Sequence, residues 1–374
     1  MQERLEFDAV VVGAGPAGSV TARTIAGDGK RVALLEEHPQ VGRPVHCSGF
    51  VSPRILRLPH FPSEVVLNEV VGAVVYGPGK ASLALGGDRT YGLVLDRCAL
   101  DQRLAARAQQ SGAELLLQHR FLDATPTAGR MAVRCRTPAG EVQLRGHLVA
   151  RADGAQGVVA RRSRDPGEII WCLGAEAMLP SHPRDWVRVY VGHAEAPGWF
   201  AWTIPVGDGR VRIGVGSLFH PRRAASPRAL LRRLLEGRRD HFAGCRLLQL
   251  SGGFIPLYSP LPTVGPGMVR VGDAARQVKP TTGGGIYMSM LAGELAGQAM
   301  NEALRQGDTS AASLRRYEAR WQGGIGEELQ RGQDLRAIFT RLSDRQLRLL
   351  LWLFSRPGLQ GIISRYGDID YQSP

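Results

Sequence analysis

Long apolar runs are missing from this chain. Nowhere do about 18 consecutive apolar residues occur, so no membrane-spanning helix is expected. The start, MQERLEFDAVVV, is charged and enters a strand at once, which leaves no room for a cleavable signal peptide. The five cysteines, at 47, 98, 135, 172 and 245, contain no C-x-x-C pair. Neither a cysteine-ligated zinc nor an iron–sulfur cluster is signalled, no metal is expected, and an unpaired set fits a reducing cytosol. Lysine is scarce, occurring only at 30, 80 and 279, so arginine carries almost all of a net charge of +13. That excess has two readings, an anion-attracting surface or the imprint of genomic base composition. No nucleic-acid-binding motif accompanies it, and no nucleic-acid partner is expected. Internal repeats and low-complexity linkers are also missing. A 44% hydrophobic, 22% charged composition over 374 residues can bury a large core divided into two or three folding units.

What the chain has is a strand that enters a glycine turn and leaves as a helix. In Phe7 to Gly18, FDAVVVGAGPAG, the β-branched Val10, Val11 and Val12 read as a buried parallel strand. Gly13, Gly15 and Gly18 follow in the spacing G-x-G-x-x-G. Gly13 permits the tight turn, Gly15 lets the backbone approach a pyrophosphate, and Gly18 lets the helix begun by Pro16 and Ala17 pack on its strand. Free N–H groups and the macrodipole at that helix start favour an anion. A second strand, RVALLE, ends about 20 residues on in Glu36, with Glu37 beside it, where a carboxylate can accept ribose hydroxyls. Together these features predict a dinucleotide site.

The loop EHPQVGRPVHCSGFVSPRIL leaves the carboxyl edge of that sheet and should pass the cofactor, putting Arg43 and Pro44 near its phosphates or ring. Cys47 on this loop reads from chemistry alone either as a small buried hydrophobe or as a reactive thiol. Residues 65 to 98 alternate apolar runs with glycine turns and predict antiparallel hairpins in place of an α/β crossover. Cys98 to Ser111 has helical spacing and stops at Gly112. AELLLQHRFLDA, MAVRCRT and EVQLRGHLVARADG read as strands, the last returning to the first sheet with Asp153 and Gly154 at its end. From Glu168 to Phe254 strands dominate, and Trp171, Trp186, Trp199 and Trp202 suggest a broad sheet with an aromatic-lined pocket. The strand MVRVGDAA, carrying Gly272 and Asp273, leads into the glycine-rich RQVKPTTGGGI and a small-residue helix, whose N-terminus faces a ring or an anion. Beyond about residue 310 the pattern is amphipathic helix. There Leu349 to Phe354, an apolar run between arginines, reads either as a docked helix or as a lid or membrane-facing one.

Three separated motifs, GAGPAG at 13–18, ADG at 152–154 and GDAARQVKPTTGGGI from 272, together resemble the flavoprotein hydroxylase superfamily. The resemblance implies an α/β fold with α+β insertions: a Rossmann-type FAD-binding domain, an inserted antiparallel substrate sheet and a helical C-terminal region. The corresponding spans are 1–75, 95–165 and 255–308 for the FAD domain, 76–94 and 166–254 for the sheet, and 309–374 for the helices. Asp153 and Gly154 would then support the pyrophosphate, and Asp273 after Gly272 the ribityl or phosphate. Pro280, Gly283, Gly284, Gly285 and Ile286 would border the isoalloxazine. Arg97 and Asp101 match the segment before the first interior helix. Gly157 departs from the pattern, which has serine there, while Arg161 agrees with it.

Within that superfamily the chain is similar to the geranylgeranyl reductases. The likeness rests on GRPVHCSGFVSP around Cys47, APGWFAWTIP at 196–205 and the terminal GDIDYQSP, with Phe200 in place of tyrosine, Ile204 in place of phenylalanine and His46 in place of glutamine. It implies saturation of C=C bonds in a geranylgeranyl or other polyprenyl chain, with electrons from NAD(P)H or reduced ferredoxin. An isolated alkene accepts hydride poorly, so a proton must reach the neighbouring carbon. A thiol of reference pKa about 8.5 is mostly protonated at neutral pH and could donate it, which makes Cys47 the expected acid, with water held by His46 as the other source. Cys47 would also border the cofactor. The rings of Phe200 and Trp202 could stabilise developing cation by about 1 to 2 kcal/mol per contact. The alternatives are an FAD-dependent halogenase, which GWFAWTIP also resembles except that Phe200 stands where it has tryptophan, and an aromatic monooxygenase. The expected location is cytoplasmic, with an anionic inner membrane face as a candidate surface partner.

Overall fold

The computed structural model describes residues 6–160, 167–220 and 226–356. Arg161, Pro357, Gly358 and the terminal GDIDYQSP lie outside the described residues.

The valine-rich stretch forms the strand Glu6–Val12, buried along almost its whole length because it is covered on both faces. It pairs in parallel with Val32–Leu35 on one side (Val10 opposite Ala33) and Gly140–Arg151 on the other (Val10 opposite Val149). The sheet continues to Glu114–Leu116 past one neighbour and to Met268–Arg270 and Val264–Gly265 past the other. Arg120–Thr127 and Arg130–Thr137 add an antiparallel hairpin onto Gly140–Arg151, giving eight strands. The chain reverses its direction of winding beside Glu6–Val12, and in open parallel sheets the crevice at such a point receives the ligand. AELLLQHRFLDA is two strands, not one, with a turn at 117–119 between Glu114–Leu116 and Arg120–Thr127.

Helices Pro16–Ala26 and Ile286–Gln306 pack side by side on one face of this sheet. Gly293 lets them approach closely, since a Cβ there would stand 2.7 Å from the Ala17 carbonyl oxygen, and the Thr21 hydroxyl donates to that oxygen at 2.8 Å. Helix Arg97–Gln110 is capped by the Asp96 carboxylate, which accepts from the Ala99 amide at 2.9 Å.

A second sheet has seven strands in the order Arg246–Pro256, Ile169–Met178, Arg210–Leu218, Phe200–Gly207, Trp186–Val191, Gly72–Tyr76 and Ser82–Gly86. Its ladders are antiparallel except between Trp186–Val191 and Gly72–Tyr76, which run parallel. The hairpins expected over 65–98 also divide. Gly72–Tyr76 and Ser82–Gly86 join the large sheet, whereas Val66–Val70 and Gly92–Leu95 form a small one with Phe50–Val51. Helix Pro227–Gly237 covers one face of the large sheet with Leu230, Leu231 and Leu234.

The C-terminal part is helical: Ala311–Trp321, then Glu327–Phe339 and Asp344–Phe354. Ser343 and Gln346 form a capping box at the start of the last. Tyr317 ties the first of these to the dinucleotide sheet: its buried hydroxyl donates to the Arg270 carbonyl at 3.0 Å and accepts from Gln277 at 2.9 Å, while the Gln277 side-chain Oε1 accepts from the Gly272 amide at 2.7 Å. That chain of bonds fixes the turn from which Asp273 projects.

Candidate active site

One cavity of about 1340 Å³ lies between the parallel sheet, the large antiparallel sheet and the last two helices. It exceeds the ~300–1,000 Å³ of an ordinary small-molecule pocket and has room for two ligands side by side. Gly13, Gly15, Pro16, Ala17, Glu36, Glu37, Arg43, Pro44, His46, Cys47, Arg97, Asp153, Gly154, Phe200, Trp202, Asp273, Pro280, Gly283, Gly284, Gly285 and Ile286 all line it. Gly18 and Gly272 do not. A Cβ on Gly18 would overlap the Gly13 carbonyl, and one on Gly272 would press on Ala17 and Ser289 at 2.8 Å, so both serve the packing behind the wall.

The three glycines of the first turn are needed for different reasons. Gly13 has φ +96, and its Cβ would stand 2.5 Å from the Ala152 carbonyl oxygen. Gly15 has φ −74, which any residue adopts, and among the described residues nothing beyond its chain neighbours lies within 4 Å of where its Cβ would be. The protein's own packing therefore does not require glycine at 15. The free space opens into the cavity at the start of helix Pro16–Ala26, which carries no side-chain cap. Amides without a cap beside an open cradle fit a pyrophosphate.

Glu36 closes the turn from the other side: its carboxylate accepts from the Ala14 amide at 3.2 Å and the His38 amide at 3.0 Å. Glu37 accepts from Gln156 at 3.0 Å. Asp153 pairs with Arg151 through one oxygen, and the other is buried without a partner among the described residues, as a group awaiting a ligand donor would be. Gly157 follows from this geometry, because a side chain there would overlap the Asp153 carboxylate. Burial pushes the Asp273 carboxyl up to about 6, against the opposing pull of Arg97.

Cys47 accepts a long bond from the Gly49 amide, 3.4 Å from nitrogen to sulfur. Burial disfavours the Arg97 cation, but the Asp101 carboxylate, with oxygens at 2.9 and 3.0 Å, and the neighbouring Cys47 sulfur outweigh it and hold its pKa above the usual value. Cys172 lines the same cavity, and burial, with Cys47 nearby, pushes its thiol up to about 12. His46 is exposed to the cavity. Burial, then the His38 charge, lowers its pKa against a backbone bond at Gly252, leaving a neutral imidazole at neutral pH.

Phe200 and Trp202 point to the same side of Phe200–Gly207, their ring centroids 5.6 Å apart. Trp199 stacks on Phe200 at 4.8 Å. Trp171 and Trp186 do not reach the cavity. Trp171 packs against Phe219 and Phe254, while Trp186 lies over Gly72 and Gly87. Trp199, one of the tryptophans expected to line a pocket, completes the wall together with Cys172, Arg336 and Phe339, which no motif marked. Arg336 donates to Glu168 at 2.5 Å and to the Gly198 carbonyl at 3.1 Å, its guanidinium 5.0 Å from the Trp199 ring centroid. The apolar spacing of the last helices was the available signal for Phe339; nothing local marks Arg336.

The parallel sheet, its glycine turn and the shared cavity define a Rossmann-type dinucleotide-binding fold. The family described as lycopene cyclase protein matches residues 8–356. The digeranylgeranylglycerophospholipid reductase of Methanothrix thermoacetophila is 34% identical over 358 residues, 93% of this chain and 91% of the relative. A geranylgeranyl bacteriochlorophyll reductase-like protein from Thermoplasma acidophilum superposes with a TM-score of 0.86 at 28% identity, covering 96% and 94% of the two chains. The chain belongs to the digeranylgeranylglycerophospholipid reductase family, within the span of the lycopene cyclase protein match. A flavin-dependent brominase superposes with a TM-score of 0.73 over 96% of this chain and 92% of its own at 18% identity, a likeness of fold alone.

Proposed function

We propose that this protein is an FAD-dependent reductase that saturates C=C bonds of a geranylgeranyl or other polyprenyl chain carried by a lipid or isoprenoid. The observation that carries this reading is the shared cavity: a thiol and a pair of aromatic faces line the same space as the open Gly15 cradle and the glycine loop at 283–285. The reductase names of the relatives support the same substrate class.

In this proposal Gly15, Glu36, Asp153 and Asp273 would hold the dinucleotide, and Pro280 to Ile286 would border its ring. The second sheet is the substrate domain. A bound reduced flavin would supply the hydride, its electrons coming from NAD(P)H or reduced ferredoxin. Cys47 Sγ gives a proton to the alkene carbon next to the one that takes the hydride, so two C–H bonds replace the π bond, and water returns the proton to sulfur. Phe200 and Trp202 hold the chain, exclude water and face the carbon where positive charge builds. His46, neutral, can hold the water that reloads the thiol. The brominase likeness gives the halogenase alternative no more than a fold, and Phe200 interrupts its tryptophan spacing.

The test uses anaerobically reduced protein mixed with a geranylgeranyl glycerolipid. The product should gain two mass units per saturated bond. An unchanged lipid, with hydroxylation or halogenation of an added aromatic in air, would reject the proposal.

A further inference from the structure

Large apolar side chains exposed to solvent gather on the last two helices. Leu335, Ile338 and Phe339 project from Glu327–Phe339, and Leu349, Trp352 and Leu353 from Asp344–Phe354. Leu349 is 60% exposed and Trp352 52%, so the apolar run expected either to dock or to face outward does both, with Leu349, Trp352 and Leu353 outward. Leu351 is the buried residue of the last helix, seated on Gly77.

Positive charge surrounds the last helix. Arg341, Arg345, Arg348 and Arg356 are exposed, and the only carboxylate between 341 and 356, Asp344, is engaged by His193 at 2.9 Å. Residues 345, 348, 349, 352 and 356 recur at helical spacing, so arginines and apolar groups share one face, and the Arg356 guanidinium stands 4.2 Å from the Trp352 ring centroid. Long basic side chains bury their stems against such a face and send their charge outward to headgroups. The same helix pair lends Leu335, Phe339, Leu342 and Leu347 to the edge of the cavity.

We propose that the helix pair spanning 327–354 docks this protein on an anionic bilayer, with Leu349, Trp352 and Leu353 entering the headgroup–acyl boundary and the arginines meeting lipid phosphates. Charge selects this occupant over a second copy of the chain, because two such faces together would oppose arginine to arginine. The cavity edge then lies at the membrane surface, where a prenyl tail can pass from bilayer to cavity. That delivery step rests on the proposed function; the docking does not.

The flavin-loaded protein is floated with vesicles of phosphatidylglycerol or of phosphatidylcholine. Binding to the anionic vesicles should be at least ~10-fold stronger and weaken with salt. Bromine-labelled lipid should quench Trp352 emission, and Trp352→Phe should remove that quenched component. The double variant Leu349→Glu/Trp352→Glu should keep its flavin and its turnover of detergent-dispersed substrate while vesicle binding falls ~10-fold or more. No binding, equal binding to neutral vesicles, or quenching unchanged in Trp352→Phe would overturn the docking surface. A dimer that the double variant dissolves would overturn it too. Vesicle binding as expected, without reduction of any prenyl lipid, supports the docking and overturns the reaction.

Discussion

Trp202 lies over Gly214, its partner across the antiparallel ladder, and a Cβ on Gly214 would overlap the indole ring. The glycine is what allows the ring to lie flat along the sheet beside Phe200. Gly214→Val should therefore push Trp202 into the cavity. Overpacking of this kind costs about 1–3 kcal/mol of stability. The variant should also show a raised KM for prenyl substrate with bound flavin unchanged, measured by thermal unfolding, steady-state kinetics and the flavin spectrum. A normal KM would show that the ring does not hold the substrate.

Gly15 offers a cleaner separation of fold from binding. Its backbone is ordinary and its Cβ position is open, so Gly15→Val should fold as the parent does. The branched side chain would fill the cradle, and FAD should be lost. The check is an unchanged thermal transition of the two cofactor-free proteins together with a colourless variant; a yellow, fully loaded Gly15→Val protein would move the pyrophosphate elsewhere.

Much of the cofactor half was legible because its signals are local. A valine strand, a glycine spacing and a carboxylate about 20 residues on are each read within one segment. The substrate wall depends on strands distant in sequence. Trp199 was legible as a pocket tryptophan, but not its stacking on Phe200, because it precedes the strand that starts at Phe200, where alternation does not yet apply. Cys172 carried no local signal, and it is buried, yet its strand carries it to the cavity edge near Cys47. The parallel pairing of Gly72–Tyr76 with Trp186–Val191 joins segments over 100 residues apart, and no local turn chemistry announces it. Arg336 reaches Trp199 from a helix whose apolar spacing shows which side docks but not which strand it meets.

Asp273 should leave a mark on stability. Its carboxyl titrates at about 6 in the folded chain against an ordinary 3.8, so the folded state holds the proton more tightly than the unfolded one. Stability of the cofactor-free protein is then lost as pH rises from about 4 to 6. Asp273→Asn should recover at most about 3 kcal/mol at pH 7, two pKa units at 1.36 kcal/mol each, and almost nothing near pH 4. Urea unfolding of both proteins at the two pH values measures this. A gain of equal size at both would trace the effect to packing instead.

Cys47→Ala should keep FAD and accept electrons at a near-normal rate while prenyl reduction falls ~10²-fold or more, the usual scale for a positioned acid. Cys47→Ser should keep a little activity, because a hydroxyl can hold water in the same place. If Cys47→Ala reduces prenyl chains as fast as the parent, the thiol only packs and the proton comes by another route, such as water at His46.

The most direct measurement of the central claim is an anaerobic single turnover, with flavin absorbance followed as a geranylgeranyl lipid is mixed with the reduced protein. The predicted result is flavin reoxidation without oxygen, one flavin for each double bond lost from the lipid. Flavin that stays reduced until air is admitted, with the lipid unchanged, would contradict the reductase reading.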